Sequence, residues 1–313
     1  MVDLSREVVM SRVFGAVMAA ILLLSGCSSS VADEVSASPT VGDISLIKVG
    51  ASDTLAPAIA WPSSLEFMRN QSSVVWPGEG AVLQDGQPLL LDMYVQSLDT
   101  GEVLRNTYDG LPQSYLLASE LLGDDLYRAL LKARVGTRIL SVAPSQKEFQ
   151  GESAIVIVID VLPDAAVGED TPTRDDLPRV TSEANGQPTI VLNENQELPT
   201  VLTTAALIRG PGEQIKPGSF IVAQFKAVYT TDGTKDGKSW KAGDVRQSTW
   251  PAEQAPFEGQ VGKGKLLRGW DEGLIDQTAG SRVMLVVPEE WGYPGEGTII
   301  YVIDILDVWN KAE

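Results

Sequence analysis

Residues 136–144 read GTRILSVAP, and residues 280–288 read GSRVMLVVP, an offset of 144 residues. The same offset recurs with no gap further on, where GESAIVIVIDVL (151–162) matches GEGTIIYVIDIL (295–306). Upstream, PGEGAVLQDGQPLLLDMYV from Pro77 resembles PGEQIKPGSFIVAQFKAV from Pro211. This repeat constrains the fold more than any other feature, because each copy must close a core of its own with the same order of elements. Two homologous domains are predicted, over 43–165 and 188–313. Between them, LPDAAVGEDTPTRDDLP (162–178) is rich in proline and aspartate, so 166–187 reads as a linker.

Both copies share one coarse order. A run of β-type residues (89–98; 219–230) is followed by a turn-rich stretch, then a short helical segment (124–133; 267–277). A strand ending in proline, a loop and a final strand complete each copy. In the second copy Ile221, Ala223, Phe225 and Ala227 share one strand face, with Gln224 and Lys226 on the other. Ile299, Tyr301, Ile303 and Ile305 likewise share a face, and Asp304 points away. A period of two with one apolar side predicts antiparallel strands covered on that side. The expected class is α+β: two domains, each a curved antiparallel β-sheet wrapped around one short α-helix.

The chain has no histidine and one cysteine, Cys27. Catalytic triads, His-ligated zinc and imidazole proton shuttles are therefore excluded, as are an internal disulfide and a Cys cluster. The carboxylates are scattered beside Gly and Pro, with no calcium-loop spacing. No cofactor and no metal are expected. A formal net charge of −18 argues against nucleic acid as a partner, since phosphate binding needs a basic face.

The first 26 residues read as a signal peptide. Arg6 and Arg12 precede a short apolar run over 13–24, too short to span a membrane. It ends in Leu24-Ser25-Gly26-Cys27, which resembles a bacterial lipobox. That resemblance implies acylation of Cys27 and anchoring to a membrane on its extracytoplasmic side, and several acyl chains would make the anchor stable. An ordinary cleaved signal is the alternative, and Met10 is a second possible start. Residues 27–42 read as a polar, flexible tether.

In the second copy, GWDEGL (269–274), then GSRVMLVVPEEWGY (280–293), then TIIYVIDILDV (298–308) resemble the FKBP family of peptidyl-prolyl isomerases. The similarity runs from about Arg209 to Trp309. The upstream PTIVLNENQELPTVLTTAALIRGPGEQIKPG, from Pro188, resembles the lead-in of tandem FKBP lipoproteins. The resemblance implies an apolar bowl built from Phe225, Phe257, Leu266, Leu267, Trp270, Tyr293 and Tyr301, with Trp270 as its floor. Two departures stand out. The slot that holds a pocket aspartate in the family is Arg246-Gln247-Ser248-Thr249 or Trp240-Lys241-Ala242-Gly243, and neither has the acid. The loop after Tyr293 is only Pro294-Gly295-Glu296-Gly297, where relatives carry a longer wall. In the first copy the offset places Leu126, Phe149 and Ile157 at the positions of Trp270, Tyr293 and Tyr301, so the bowl is largely lost there.

Such a bowl can act without acids or bases. Rotating an amide bond costs about 18–20 kcal/mol because resonance is broken. The twisted amide separates less charge than the planar one, so an apolar hollow can bind it preferentially. The expected function is proline isomerisation in clients exported from the cytoplasm. The alternatives are a binding or holdase module with little or no catalysis, and a small-solute-binding lipoprotein. Core packing is the plain alternative for Trp270 itself.

Overall fold

The computed structural model describes residues 40–311, apart from 52–54, 64, 145–152, 173, 194–195 and 252–253. Signal peptide, lipobox and Cys27 lie outside the described residues, as does Phe149. Residues 38–313 form one compact unit containing two lobes.

The repeat is realised strand for strand. In the N-terminal lobe, β1 (Gln71–Trp76), β2 (Pro88–Ser97), β3 (Val103–Asn106) and β4 (Gln113–Leu116) are followed by helical turns α1 (Ser119–Leu122) and α2 (Asp124–Leu130), then β5 (Arg138–Ala143) and β6 (Ile155–Leu162). In the C-terminal lobe, β7 (Thr203–Arg209), β8 (Phe220–Tyr229), β9 (Val245–Ser248) and β10 (Phe257–Gln260) precede α3 (Arg268–Gly273), β11 (Arg282–Val287) and β12 (Ile299–Trp309). The sheet orders correspond: β1-β5-β6-β2-β3 with β4 on β2, and β7-β11-β12-β8-β9 with β10 on β8. All these pairings are antiparallel. The N-terminal lobe covers its sheet with two helical turns rather than one helix, because Gly123, at φ 73°, breaks the run.

The helix lies close against the sheet in the C-terminal lobe. A Cβ on Gly269 would sit 2.7 Å from Val287 Cγ1, and one on Gly273 would sit 2.9 Å from Leu285 Cδ2. These two glycines flank Trp270 and let the short helix sink until the indole meets the sheet. Ile221, Ala223, Phe225, Leu285, Ile303 and Leu274 pack with Trp270 in one core.

Both sheet faces are covered, where the period of two predicts a cover only on the apolar side. On the far side Met284, Val286, Ile300 and Val302 pack against Leu177, Val180, Ile190, Leu192 and Leu198. In the N-terminal lobe Leu140, Val142, Val156 and Val158 pack against Ile47, Leu65, Phe67 and Trp61. The stretch read as a linker, 166–187, is thus part of the C-terminal lobe. Glu169–Asp170 pairs with Arg209 and Ile208 of β7, Arg179–Ser182 forms a hairpin with Pro188–Val191, and Val167 donates to the Gly280 carbonyl. The tether also ends earlier than expected, since Thr40–Val41 pairs with Leu65–Glu66.

Asp304 does leave the apolar face, but it is 1% exposed. Arg282 binds it through two N–H···O contacts of 2.6 Å, and the same guanidinium donates to Ser182 Oγ and the Gly186 carbonyl at 2.6 Å each. The pair repeats at the 144 offset: Arg138 binds Asp160 in bidentate fashion, donates to the Gly50 carbonyl and lies 4.1 Å over the Trp76 ring. In each lobe one buried arginine joins the sheet to the segment that covers it, with its donors satisfied, as burial of a charge requires.

Candidate functional site

All seven residues named from the sequence line one hollow of about 280 Å³ in the C-terminal lobe. Phe225 from β8, Trp270 from α3 and Tyr301 from β12 form its base and are nearly buried; Phe257, Leu266, Leu267 and Tyr293 stand half-buried around them. The rings meet edge to face. Trp270 lies 5.0 Å from Phe225 at 86°, 5.2 Å from Phe257 at 75° and 5.5 Å from Tyr301 at 87°. Such contacts add about 0.5–1.5 kcal/mol each beyond burial and fix the orientation of the indole. Strand alternation explains the convergence: Phe225 and Tyr301 both fall on the helix-facing side of paired strands.

The rim is polar and pinned. Arg246 lies 3.6 Å over the Tyr293 ring and binds Glu296 at 2.7 Å. Lys235 donates to the Pro294 carbonyl at 2.7 Å, and Gly295 N–H donates to Glu289 at 2.7 Å. The short loop 294–297 is therefore held from three sides. The Arg246 hydrogen bond holds Glu296 below the usual carboxylate range, so the pair stays charged at neutral pH. Burial, with Tyr293 next in weight, pushes the Tyr301 phenol up. It is a neutral hydroxyl throughout the physiological range.

Sequence reasoning left two lining residues without a role, Gln247 and Lys265. Gln247 lies in one of the two slots considered for the family's aspartate. The structure decides between them: 245–248 is the strand beside β8, whereas Trp240 belongs to a separate hairpin and stacks on Tyr229 at 4.5 Å. For Lys265 the only signal was its position next to Leu266. Among the described residues, no three His, Cys, Asp or Glu gather as a metal site.

Among the described residues, the N-terminal lobe does not repeat the ring cluster. Register places Met93, Gln113, Leu126 and Ile157 where the other lobe has Phe225, Phe257, Trp270 and Tyr301. A wider space of about 520 Å³ there, lined by Trp76, Asp160 and Pro163 among others, lies beside the Arg138–Asp160 pair and not under the helix. Its lining includes one aromatic ring, Trp76, and no aromatic cluster, so it does not share the chemistry of the C-terminal hollow.

The family profile of the FKBP-type peptidyl-prolyl cis-trans isomerase matches residues 212–303, which contain every ring of the hollow. The C-terminal lobe belongs to the FKBP-type peptidyl-prolyl cis-trans isomerases. FK506-binding protein 1A of Aspergillus fumigatus is 27% identical over 116 residues, covering 33% of this chain and 93% of that protein. FK506-binding protein 2 of the same fungus is 33% identical over 99 residues, covering 29% of this chain and 66% of its own length. The human peptidyl-prolyl cis-trans isomerase FKBP2 is 32% identical over 75 residues, 21% of this chain and 52% of that protein. The chain thus spans about half to two thirds of the FKBP2-type relatives. The crystal structure of the three FKBP domains of wheat FKBP73 aligns over 76% of this chain and 94% of its own, with 14% identity and a TM-score of 0.28.

Proposed function

We propose that the FKBP-type lobe accelerates cis–trans rotation of X-Pro bonds by binding the twisted amide in the Trp270 hollow. The observation that carries this reading is the meeting of Phe225, Phe257, Trp270 and Tyr301 around a space of about 280 Å³. The proline ring lies on the indole. The half-rotated amide, less polar than the planar one, faces aromatic walls, and the Tyr293 hydroxyl at the rim hydrogen-bonds a substrate carbonyl. No proton moves, which suits a chain without histidine. A 10⁴-fold acceleration needs about 5.5 kcal/mol of preference for the twisted form.

The clients are proline-containing chains outside the cytoplasm, and the protein is held at the membrane through acylated Cys27. The reading as a holdase is favoured only for the N-terminal lobe, where Met93, Gln113, Leu126 and Ile157 replace the rings. A proline-limited refolding assay tests the enzyme. Wild type shortens the slow phase, and Trp270→Leu reduces the acceleration at least tenfold. An unaltered slow phase with wild-type protein would refute the reading. Loss of acyl labelling and of membrane retention in Cys27→Ala tests the anchor; retention without the cysteine removes it.

A further inference from the structure

The charge around the hollow is opposite to that of the chain. The protein carries a formal net charge of −18, yet no carboxylate lines the hollow. Lys265 lines it, is exposed, and pairs with no carboxylate among the described residues. At the Tyr293 side of the rim, Arg246 and Lys235 are balanced by Glu296, at 2.7 and 3.7 Å, and by Glu289, which accepts from Gly295 N–H at 2.7 Å, so Lys265 is the cation left over at the hollow. Lys265 immediately precedes Leu266 and Leu267, which form the wall beside Trp270. A side chain one residue away from a proline seated on the indole therefore comes within reach of the Lys265 ammonium.

Resting on the isomerase reading above, we propose that this site selects prolines flanked by an acidic residue. The Lys265 ammonium attracts the flanking carboxylate, and no acid lining the hollow competes for it. The acidic remainder of the surface makes the preference local, since a carboxylate finds a positive partner here and repulsion over most of the protein. An exposed lysine–carboxylate contact is modest, so the preference expected is about two- to five-fold in kcat/KM.

The test uses the full chain and tetrapeptides that differ only beside the proline: Glu, Gln, Leu or Lys. The expected order places Glu above its isostere Gln and Lys last. The Glu-to-Gln ratio falls towards one in 0.5 M salt, because exposed charges are screened there. Lys265→Glu inverts the order of the Glu and Lys peptides, and Lys265→Ala flattens it. The readout is a ratio within one protein sample, so partial loss of folded material leaves it unaltered. Equal turnover of Glu and Gln peptides, or a ratio indifferent to Lys265→Glu, overturns the inference while leaving the isomerase reading standing. If no peptide is isomerised, the isomerase reading itself fails.

Discussion

Replacing Asp307 by asparagine should make this protein more stable at neutral pH. Asp307 lies on β12 opposite Val222, at the junction where Leu90, Leu111 and Leu162 of the N-terminal lobe pack with Val222 and Leu306. Burial pushes its carboxyl up to about 6 from an ordinary 3.8, and Asp92 of the other lobe adds to the rise. That gap corresponds to roughly 3 kcal/mol at about 1.4 kcal/mol per pH unit. Asp307 is half-buried, so solvent screening reduces the figure to about 1–3 kcal/mol. The sign follows from linkage. Between pH 3.8 and about 6 the folded state holds a proton that the unfolded chain has released, so stability from this group falls as pH rises through that window. Above it the whole cost remains. Asparagine keeps the shape and removes the charge. Asp307→Asn should therefore exceed wild type by about 1–3 kcal/mol at pH 7.5, and the difference should close by about pH 4. Urea unfolding at pH 4, 5.5 and 7.5 measures it, and only the difference between the two proteins matters, because Asp92 and Asp164 are raised by burial too. A difference that does not depend on pH, or a mutant less stable at pH 7.5, would refute the reasoning.

Four further outcomes follow from the geometry. Asp304→Ala should cost about 3–5 kcal/mol in urea unfolding because it strands Arg282, whereas Arg282→Met with Asp304→Leu should recover most of that loss; equal losses would mean the pair is not a unit. Gly210→Ala places a Cβ 2.1 Å from the Ala279 carbonyl oxygen, and should lower stability by about 2–4 kcal/mol; a midpoint matching wild type would contradict the close approach. The isomerase rate should be flat between about pH 6 and 9, because Tyr301 stays neutral and no histidine is present; a bell-shaped profile would show a proton transfer that the site does not provide for. Tyr293→Phe keeps the ring under Arg246 and should lower kcat/KM about three- to tenfold through the lost hydroxyl contact; an unchanged value would remove that hydroxyl from the mechanism.

The residues of the hollow were legible through the resemblance of the second copy to the FKBP family, and local structure explains why they converge. Phe225 and Tyr301 share a face by strand alternation, Trp270 sits between Gly269 and Gly273, and the last two strands of the copies align at a constant offset of 144, while the first long strands need a shorter one. Composition alone marks 166–187 as a linker, since proline and aspartate mark loops whether or not a loop is packed. Its apolar residues, Leu177 and Val180, are too sparse to announce a covering layer. Gln247 could not be assigned while two insertions fitted the sequence equally well.

The order of residues determined that the chain repeats and that each copy is an antiparallel sheet with a short helical segment, and its likeness to the FKBP family indicated which side chains surround Trp270. Tertiary structure alone decided that both faces of each sheet are covered and that Arg138 and Arg282 join each sheet to its cover. It also decided that Lys265 stands over the hollow and that Asp92 meets Asp307 across the lobes. The reason lies in range. Periodicity reports which way a side chain points from its own strand, whereas a partner far off in the chain, as Gly186 is from Arg282 or Asp92 from Asp307, depends on how separate segments dock. Docking follows from total burial and charge satisfaction, which no short stretch of sequence contains.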